Sequence, residues 1–419
     1  MAFSGPNIVL SYADAAALVL EHGRSLAPKK CSPEKVPLLA GLDRVLAESI
    51  IADRDQPPFS RSTRDGFACR AADLNAANPL RIAGQLRSGE AWSGAAIGAG
   101  EAIEIMTGAP VPSGVDCMAM VEHVAVENGL VRPADGRSWI AGENIVPQGA
   151  EAHAGDLLVA SGTRIQPQHV ALAATCGCES LLVYTRPRVT ILATGDELVA
   201  LGQVPLPHQI RNSNSYSLAA QVSQAGGEPV ILPAAPDQLP AIEESIRQAL
   251  SSDLILLSGG VSMGKYDFVE QALASHGAEF LFSGVRIQPG KPVVFGRIPV
   301  DSGYRYYRYF FGLPGNPVST MVTFALFARP FLAHLAGRSK NDCQPDFREG
   351  HMETAINAKP GLTRFLPAIA TTSIDGTRVR LRPWQGSGDV AAAGEANCFV
   401  VVPDGVGLSA GERVTTLHL

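Results

Sequence analysis

The sequence predicts a multidomain fold that is α/β at its centre and β-rich on either side. Three observations carry this. Between residues 187 and 335, short apolar runs alternate with stretches of helical periodicity. Between 56 and 155, glycine and proline punctuate brief strand-like runs. From 340 to 419, β-branched and aromatic runs are separated by Gly-rich turns.

Taken in order, Ser11 to Ala27 reads as a first helix. Ser11 and Asp14 form a weak capping box, and apolar residues then recur at helical spacing. A second helical pattern runs from Val36 to Ile51, and Pro57 and Pro58 break the chain after it. EAIEIM, MAMVEHVAV and GLVRP predict strands in the β-rich segment. Residues 156–182 return to apolar, helical character and could pack back on the N-terminal helices. In the central segment, RVTILAT, PVILPAA and DLILLSGG are strands. SNSYSLAAQVSQAGG, DQLPAIEESIRQAL and YDFVEQALASHG are the helices between them, which indicates a parallel sheet. VSTMVTFALFARPFLAHL predicts a long apolar helix kinked at Pro330. RFLPAIAT, TRVRLRP, CFVVVP and ERVTTLHL predict a small all-β domain. The expected domains are 1–52 with 150–184, a discontinuous N-terminal domain; 53–149, β-rich; 185–336, α/β; and 340–419, β.

With 419 residues, 46% hydrophobic and 18% charged, the chain has ample material for buried cores. The net charge of −6 carries no basic field of the kind a nucleic-acid partner needs. Seven scattered cysteines include no CxxC pair, and Cys176 and Cys178 form only a CxC. They read as buried small hydrophobes in a reducing cytoplasm. No secretory signal and no membrane span is expected, since no apolar run reaches about 18 residues.

Three loops follow strand ends in the central segment: Thr194-Gly195-Asp196-Glu197, Ser258-Gly259-Gly260-Val261-Ser262-Met263-Gly264 and Leu313-Pro314-Gly315-Asn316-Pro317. Ligands of open parallel sheets collect beyond the carboxyl ends of the strands, so all three should share one rim. Gly259 and Gly260 let backbone N–H groups approach an oxyanion, with serine hydroxyls beside them; the bland alternative is a plain βα turn. Asp196 and Glu197 could hold Mg²⁺ or accept hydrogen bonds from an amidine-like ring edge, or simply form a turn. Asp237 is well placed to cap the next helix, with ligand contact as a second duty. Asp267 stands in a first helical turn just past the glycine loop, where a carboxylate could hold a metal. Gln288-Pro289-Gly290-Lys291-Pro292 is a rigid turn presenting Lys291 to an anion. Asn316 and Pro317 also suit a helix N-cap and first position. YRYYRYFF at 304–311 reads as a half-buried strand rather than a stacking surface for single strands. The nine histidines form no metal-ligand spacing.

Six motifs occur in register: PFSRSTRDGFA at 58–68, MTGAP at 106–110, TGDEL at 194–198, SGGVSMGKYD at 258–267, PGKP at 289–292 and GLPGNPVS at 312–319. Together they resemble the bacterial molybdopterin molybdenumtransferases and the E domain of gephyrin over nearly the whole chain. The resemblance implies a central domain of molybdopterin-binding type, a C-terminal small β-barrel and an elongated four-domain homodimer with the active site between subunits. It sets Asp65 and Thr107 opposite a rim carrying Glu197, Asp237, Asp267, Pro314 and Pro317, and puts Ser387 near molybdate. The implied catalytic set is Asp65, Thr107, Glu197, Asp237, Asp267 and Lys291. Ligand contacts fall to Gly259, Gly260, Ser262, Pro314, Asn316, Pro317 and Ser387, and metal binding to Asp267 and Asp237.

The implied activity is insertion of molybdenum from molybdate into adenylylated molybdopterin, with Mg²⁺ as cofactor and AMP released. Molybdopterin adenylyltransferase and other cofactor-synthesis proteins are the implied partners, with no nucleic acid and no membrane. An adenylyltransferase-like enzyme and a non-catalytic pterin-binding scaffold are the alternatives. The chain departs from the family pattern in three places. Gln288 stands where many members have lysine, Val146 and Pro147 where many have arginine, and Pro367 near an expected arginine, with Arg364 three residues earlier.

Overall fold

The computed structural model describes residues 8–26, 32–260, 268–300 and 306–419. The chain divides into two compact units. One comprises Glu48–Ser161 and Pro167–Ser180, the other Met1–Ala47, Gly162–Gln166 and Leu181–Leu419.

The first of these is built on a six-stranded sheet: β1 (Gly66–Cys69), β2 (Leu80–Leu86), β3 (Glu101–Ile105), β4 (Cys117–Met120), β5 (Val124–Glu127) and β6 (Leu130–Pro133), in the order β4-β1-β3-β2-β6-β5. Successive residues face opposite sides of a strand. Phe67, Ala102 and Val131 therefore bury on one face, while Ala68, Ile103 and Ile105 bury on the other. MAMVEHVAV is two strands rather than one, parted by a 3-10 turn at Val121–His123.

The other unit opens with α1 (Tyr12–Leu26), whose first turn is closed by the Asp14 N–H donating to Ser11 Oγ. No helix follows over 36–51. Leu38–Gly41 is a 3-10 turn, Asp43 adopts a φ of 63°, and Val45 and Leu46 form isolated bridges. The apolar residues there share a helical spacing by coincidence. Pro37, Gly41 and the left-handed Asp43 break any continuous helix.

The central sheet contains β7 (Arg188–Ala193), α2 (Asn214–Gln224), β8 (Glu228–Ile231), α3 (Leu239–Ala249), β9 (Leu254–Ser258), α4 (Phe268–Ser275), β10 (Glu279–Phe282), β11 (Val294–Pro299) and β12 (Tyr307–Leu313), with strand order β8-β7-β9-β12-β11-β10. Strands β8, β7, β9 and β12 are parallel, and β11 and β10 add antiparallel to the edge. Both faces are covered. Leu254 and Leu256 pack with α1, whereas Ile255 and Leu257 pack under α3 and α4. That explains the unbroken apolar run of β9. Strand β12 begins at Tyr307, and from Tyr309 onward it is buried on both faces, as an interior strand must be, rather than half-buried.

The long apolar helix is α5 (Pro317–Thr323) continued through a π stretch, Phe324–Ala328, into α6 (Arg329–Leu335). The irregularity falls before Pro330, whose missing N–H and ring are accommodated by the wider π turn. Pro317–Leu335 is long and apolar enough to cross a bilayer, but 89% of it is buried, so its apolar surface is occupied by the protein core. Five C-terminal strands close a barrel: β13 (Asp346–Met352), β14 (Thr363–Ser373), β15 (Gly376–Leu381), β16 (Cys398–Val402) and β17 (Arg413–His418). Among the described residues six cysteines are free thiols, five buried and Cys178 half-buried.

Candidate functional site

Strands β7, β9 and β12 end side by side, and the loops that leave them form one rim. Thr194 donates its N–H to the Ser258 carbonyl (3.2 Å), and Gly259 donates to the Leu313 carbonyl (3.3 Å). A cleft of about 470 Å³ lies there, lined by Glu197, Asp237, Gly259, Gly260, Pro314 and Asn316 among others. A neighbouring cleft of about 360 Å³ shares Thr194, Glu197, Gly259 and Asn316 and extends to Asn214 and Arg211.

Glycine is needed at the heart of the rim. Gly259 has a φ of 90°, and a Cβ there would lie 2.8 Å from the Thr194 carbonyl oxygen. Gly260, at φ 63°, would put a Cβ 2.6 Å from Val269 and 2.7 Å from Thr194 Oγ1. A side chain at either position would force the two loops apart. Ser262 and Asp267 lie outside the described residues.

The adjacent carboxylates of the TGDE loop divide their roles. Asp196 Oδ1 accepts the Asp237 N–H at 3.1 Å, so it braces the loop before α3. Glu197 lines both clefts. Asp237 is not the helix cap expected from its position, because Gln238 occupies that place with Pro240 just inside the helix. Its carboxyl is held above the ordinary aspartate range, first by burial and then by repulsion from Asp196 and Glu197.

Asn316 is the N-cap of α5 by position, with Pro317 following, yet its side chain makes no cap. It donates instead to Ser387 Oγ at 2.9 Å, tying the rim to the loop after β15. Beneath it, the hydroxyl of buried Thr320 shares its proton between the carbonyls of Pro314 and Asn316, holding the turn against the first turn of α5. A third cleft, of about 310 Å³, is bounded by Gln288, Lys291, Pro314, Asn316, Trp384 and Ser387. Lys291 is the cation among its described lining residues. Arg364 pairs in register with Gln288, but its Nη2 donates to the Asn357 carbonyl at 2.6 Å.

Asp65 and Thr107 belong to the β-sheet unit. The β1–β3 pairing sets Gly66 opposite Ile105 and so brings the two together across 42 residues. The Thr107 N–H and hydroxyl both donate to Asp65 Oδ1, each at 2.7 Å. These bonds, the N–H first, hold the exposed Asp65 carboxyl below the usual range. Asn214, Arg211 and Thr320 were not singled out by the sequence. An asparagine opening a helix just after a strand-end turn is the only trace Asn214 leaves.

Comparison with known proteins agrees with this architecture. Residues 10–177 match the MoeA N-terminal region (domains I and II), 190–334 the probable molybdopterin binding domain, and 349–419 the MoeA C-terminal region (domain IV). The molybdopterin molybdenumtransferase of Nostoc sp. is 33% identical over 94% of this chain and 91% of its own. That of Bacillus subtilis is 34% identical over 93% and 90%. The crystal structure of the molybdopterin biosynthesis MoeA protein from Pyrococcus horikoshii superposes with a TM-score of 0.79 at 26% identity, over 98% of this chain and 100% of that one. The chain therefore belongs to the molybdopterin molybdenumtransferase family.

Proposed function

We propose that this protein is a transferase of molybdenum cofactor biosynthesis that takes molybdenum from molybdate into adenylylated molybdopterin and releases AMP. One observation carries the reading. Glu197, Asp237 and the Gly259–Gly260 loop converge on a single cleft, and Lys291 borders the adjoining one. Carboxylates, close-approaching backbone N–H groups and an ammonium are what a phosphoanhydride and an oxyanion require.

The described residues suit Mg²⁺. Glu197 and Asp237 offer oxygen donors to one cleft, and Asp237 feels a repulsion that a cation would relieve. Mg²⁺ commonly binds through one or two carboxylates together with substrate phosphates. We assign Asp237 and Asp267 as its protein ligands. When bound, it would neutralise charge on the phosphoanhydride being cleaved. Gly259 and Gly260, bare of side chains, then let phosphate oxygens approach the loop closely, and Ser262 belongs to the same loop. Pro314, Asn316 and Pro317 wall the pterin side, and Lys291 and Ser387 meet the oxyanion.

In this reading the enzyme is a cytoplasmic homodimer, and Asp65, held by Thr107, serves the cleft of the second copy. Mixing Asp65→Asn with Glu197→Gln after subunit exchange should restore on the order of a quarter of wild-type turnover. No recovery, with exchange verified by mass, rules out the shared site. The activity itself is tested by AMP release from adenylylated molybdopterin with and without molybdate. Release that ignores molybdate refutes the proposal. Binding of pterin without turnover would favour a scaffold, a reading supported by there being one cation among the described lining residues of the third cleft.

A further inference from the structure

Where β9 and β12 end, their backbones part. The Gly259 N–H still reaches the Leu313 carbonyl, but beyond that bond the glycine loop and the Pro314–Pro317 turn diverge around the cleft. The side chain of Asn214, the first residue of α2, spans the divergence. Its Nδ2 donates to Ser258 Oγ at 2.9 Å and to the Gly315 carbonyl at 2.7 Å. A carbonyl can only accept, so the amide orientation is fixed by Gly315 rather than chosen. Asn214 Oδ1 is buried and has no partner among the described residues. The asparagine is thus held for its two donors, at the expense of an unpaired acceptor, which costs free energy.

We propose that Asn214 is a positioning residue that latches the glycine loop to the Pro314–Pro317 turn and fixes the width of the cleft between them. The inference rests on the reading of this rim as the reaction site. The gap that Asn214 spans is narrow, since a Cβ on Gly315 would come within 3.7 Å of the Gly259 Cα, an ordinary contact. No other segment need shift if the latch opens. Ser258 stays anchored at its backbone by Thr194, and Asn316 stays anchored by Ser387. Loss of the latch should therefore misplace bound groups relative to one another without removing any group that contacts them.

Asn214→Asp tests this in the full-length protein. It preserves shape and removes both donors: the Ser258 hydroxyl can turn and donate to the new carboxylate, but the Gly315 carbonyl is left facing an acceptor, so the tie to the Pro314–Pro317 turn is broken. Turnover should fall on the order of 10- to 100-fold, the scale of an ångström-sized misplacement. KM should move by less than about three-fold, because ground-state contacts survive. Asn214→Gln, which keeps an amide, should recover part of kcat. Hydrogen exchange should rise together at 258–260 and 313–316 in Asn214→Asp. This readout needs no turnover, so it separates failure of the latch from failure of the proposed reaction. Unchanged exchange in both loops, or an activity loss that only follows the fraction unfolded, overturns the proposal. Should Asn214→Asp not fold, Asn214→Ser carries the same exchange measurement, and unchanged exchange there overturns it too.

Discussion

Gly195→Ala separates the fold of the TGDE loop from its chemistry. Gly195 adopts a φ of 144°, a region that favours glycine. A methyl there would lie 2.5 Å from Glu197 Oε2 and 2.8 Å from its Cδ. The obstacle is the end of a flexible side chain, so the carboxylate swings away and the backbone carries the strain. That strain costs on the order of 1–3 kcal/mol. Alanine also restricts the unfolded chain, which returns about 0.4–1 kcal/mol. The balance is a destabilisation of about 1–2 kcal/mol, small enough against a typical stability of about 5–15 kcal/mol to leave the protein folded. Turnover should nevertheless drop as far as in Glu197→Ala, because the carboxylate has left the cleft. Urea unfolding followed by circular dichroism gives the first quantity, and AMP release gives the second. Wild-type stability with wild-type turnover would refute the loop geometry. Lost stability with full turnover would show that the Glu197 carboxylate takes no part.

Three further outcomes are expected. Asp237 has a folded pKa above its unfolded one, so the folded state holds that proton more tightly, and ionisation costs stability as pH rises. Asp237→Asn should therefore be more stable than wild type at neutral pH and lose that advantage as pH falls towards the ordinary aspartate range; an advantage that grows on acidification contradicts the sign. Thr107→Val leaves only the backbone N–H on Asp65 Oδ1, so the Asp65 carboxyl should titrate nearer its usual range by carbon-13 NMR, and an unmoved titration would show the hydroxyl to be idle. Thr320→Val strips the donor from the Pro314 and Asn316 carbonyls and should cost about 1–3 kcal/mol in a denaturant titration, with a loss under about 0.5 kcal/mol counting against the bond.

The rim was legible in the sequence because it needs residues with no other use. Glycines that tolerate no Cβ, adjacent carboxylates and a Pro-Gly-Asn-Pro turn mark strand ends whatever the context. Strands β7 and β9 were equally plain, since burial on both faces demands unbroken apolar runs. What escaped depends on partners far away in the chain. The apparent helix over 36–51 had the right spacing, but its apolar residues pair across bridges to Arg164 and Val183. The antiparallel edge of the central sheet follows from a β11–β12 hairpin register that spacing alone does not encode. The strand Asp346–Met352 was missed because DFREGHM carries three charges and few apolar side chains. Only its neighbours in the closed barrel make it a strand. Asn214 was read as the opening of a helix, and its contacts lie 44 and 101 residues away.

The departures from the family pattern have an electrostatic consequence at the third cleft. Pro367 is held in the barrel wall opposite Phe399, so no cation stands at that position. Arg364 lies beside Gln288, but one arm of its guanidinium is committed to the Asn357 carbonyl. Lys291 is the one cation among the described residues lining this cleft, an exposed point charge whose reach in solution is limited to about 8 Å at physiological ionic strength. Hydrogen-bond donors must then carry more of any oxyanion's recognition. Ser387 Oγ accepts from Asn316 and keeps a hydroxyl proton it can donate to a bound oxyanion, and the Gln288 amide lines the same cleft. Donors fixed in this way select by the spacing and direction of oxygen atoms more than by net charge. A binding constant for molybdate that depends weakly on salt would fit such a site, whereas a steep dependence would mean that further cations reach it.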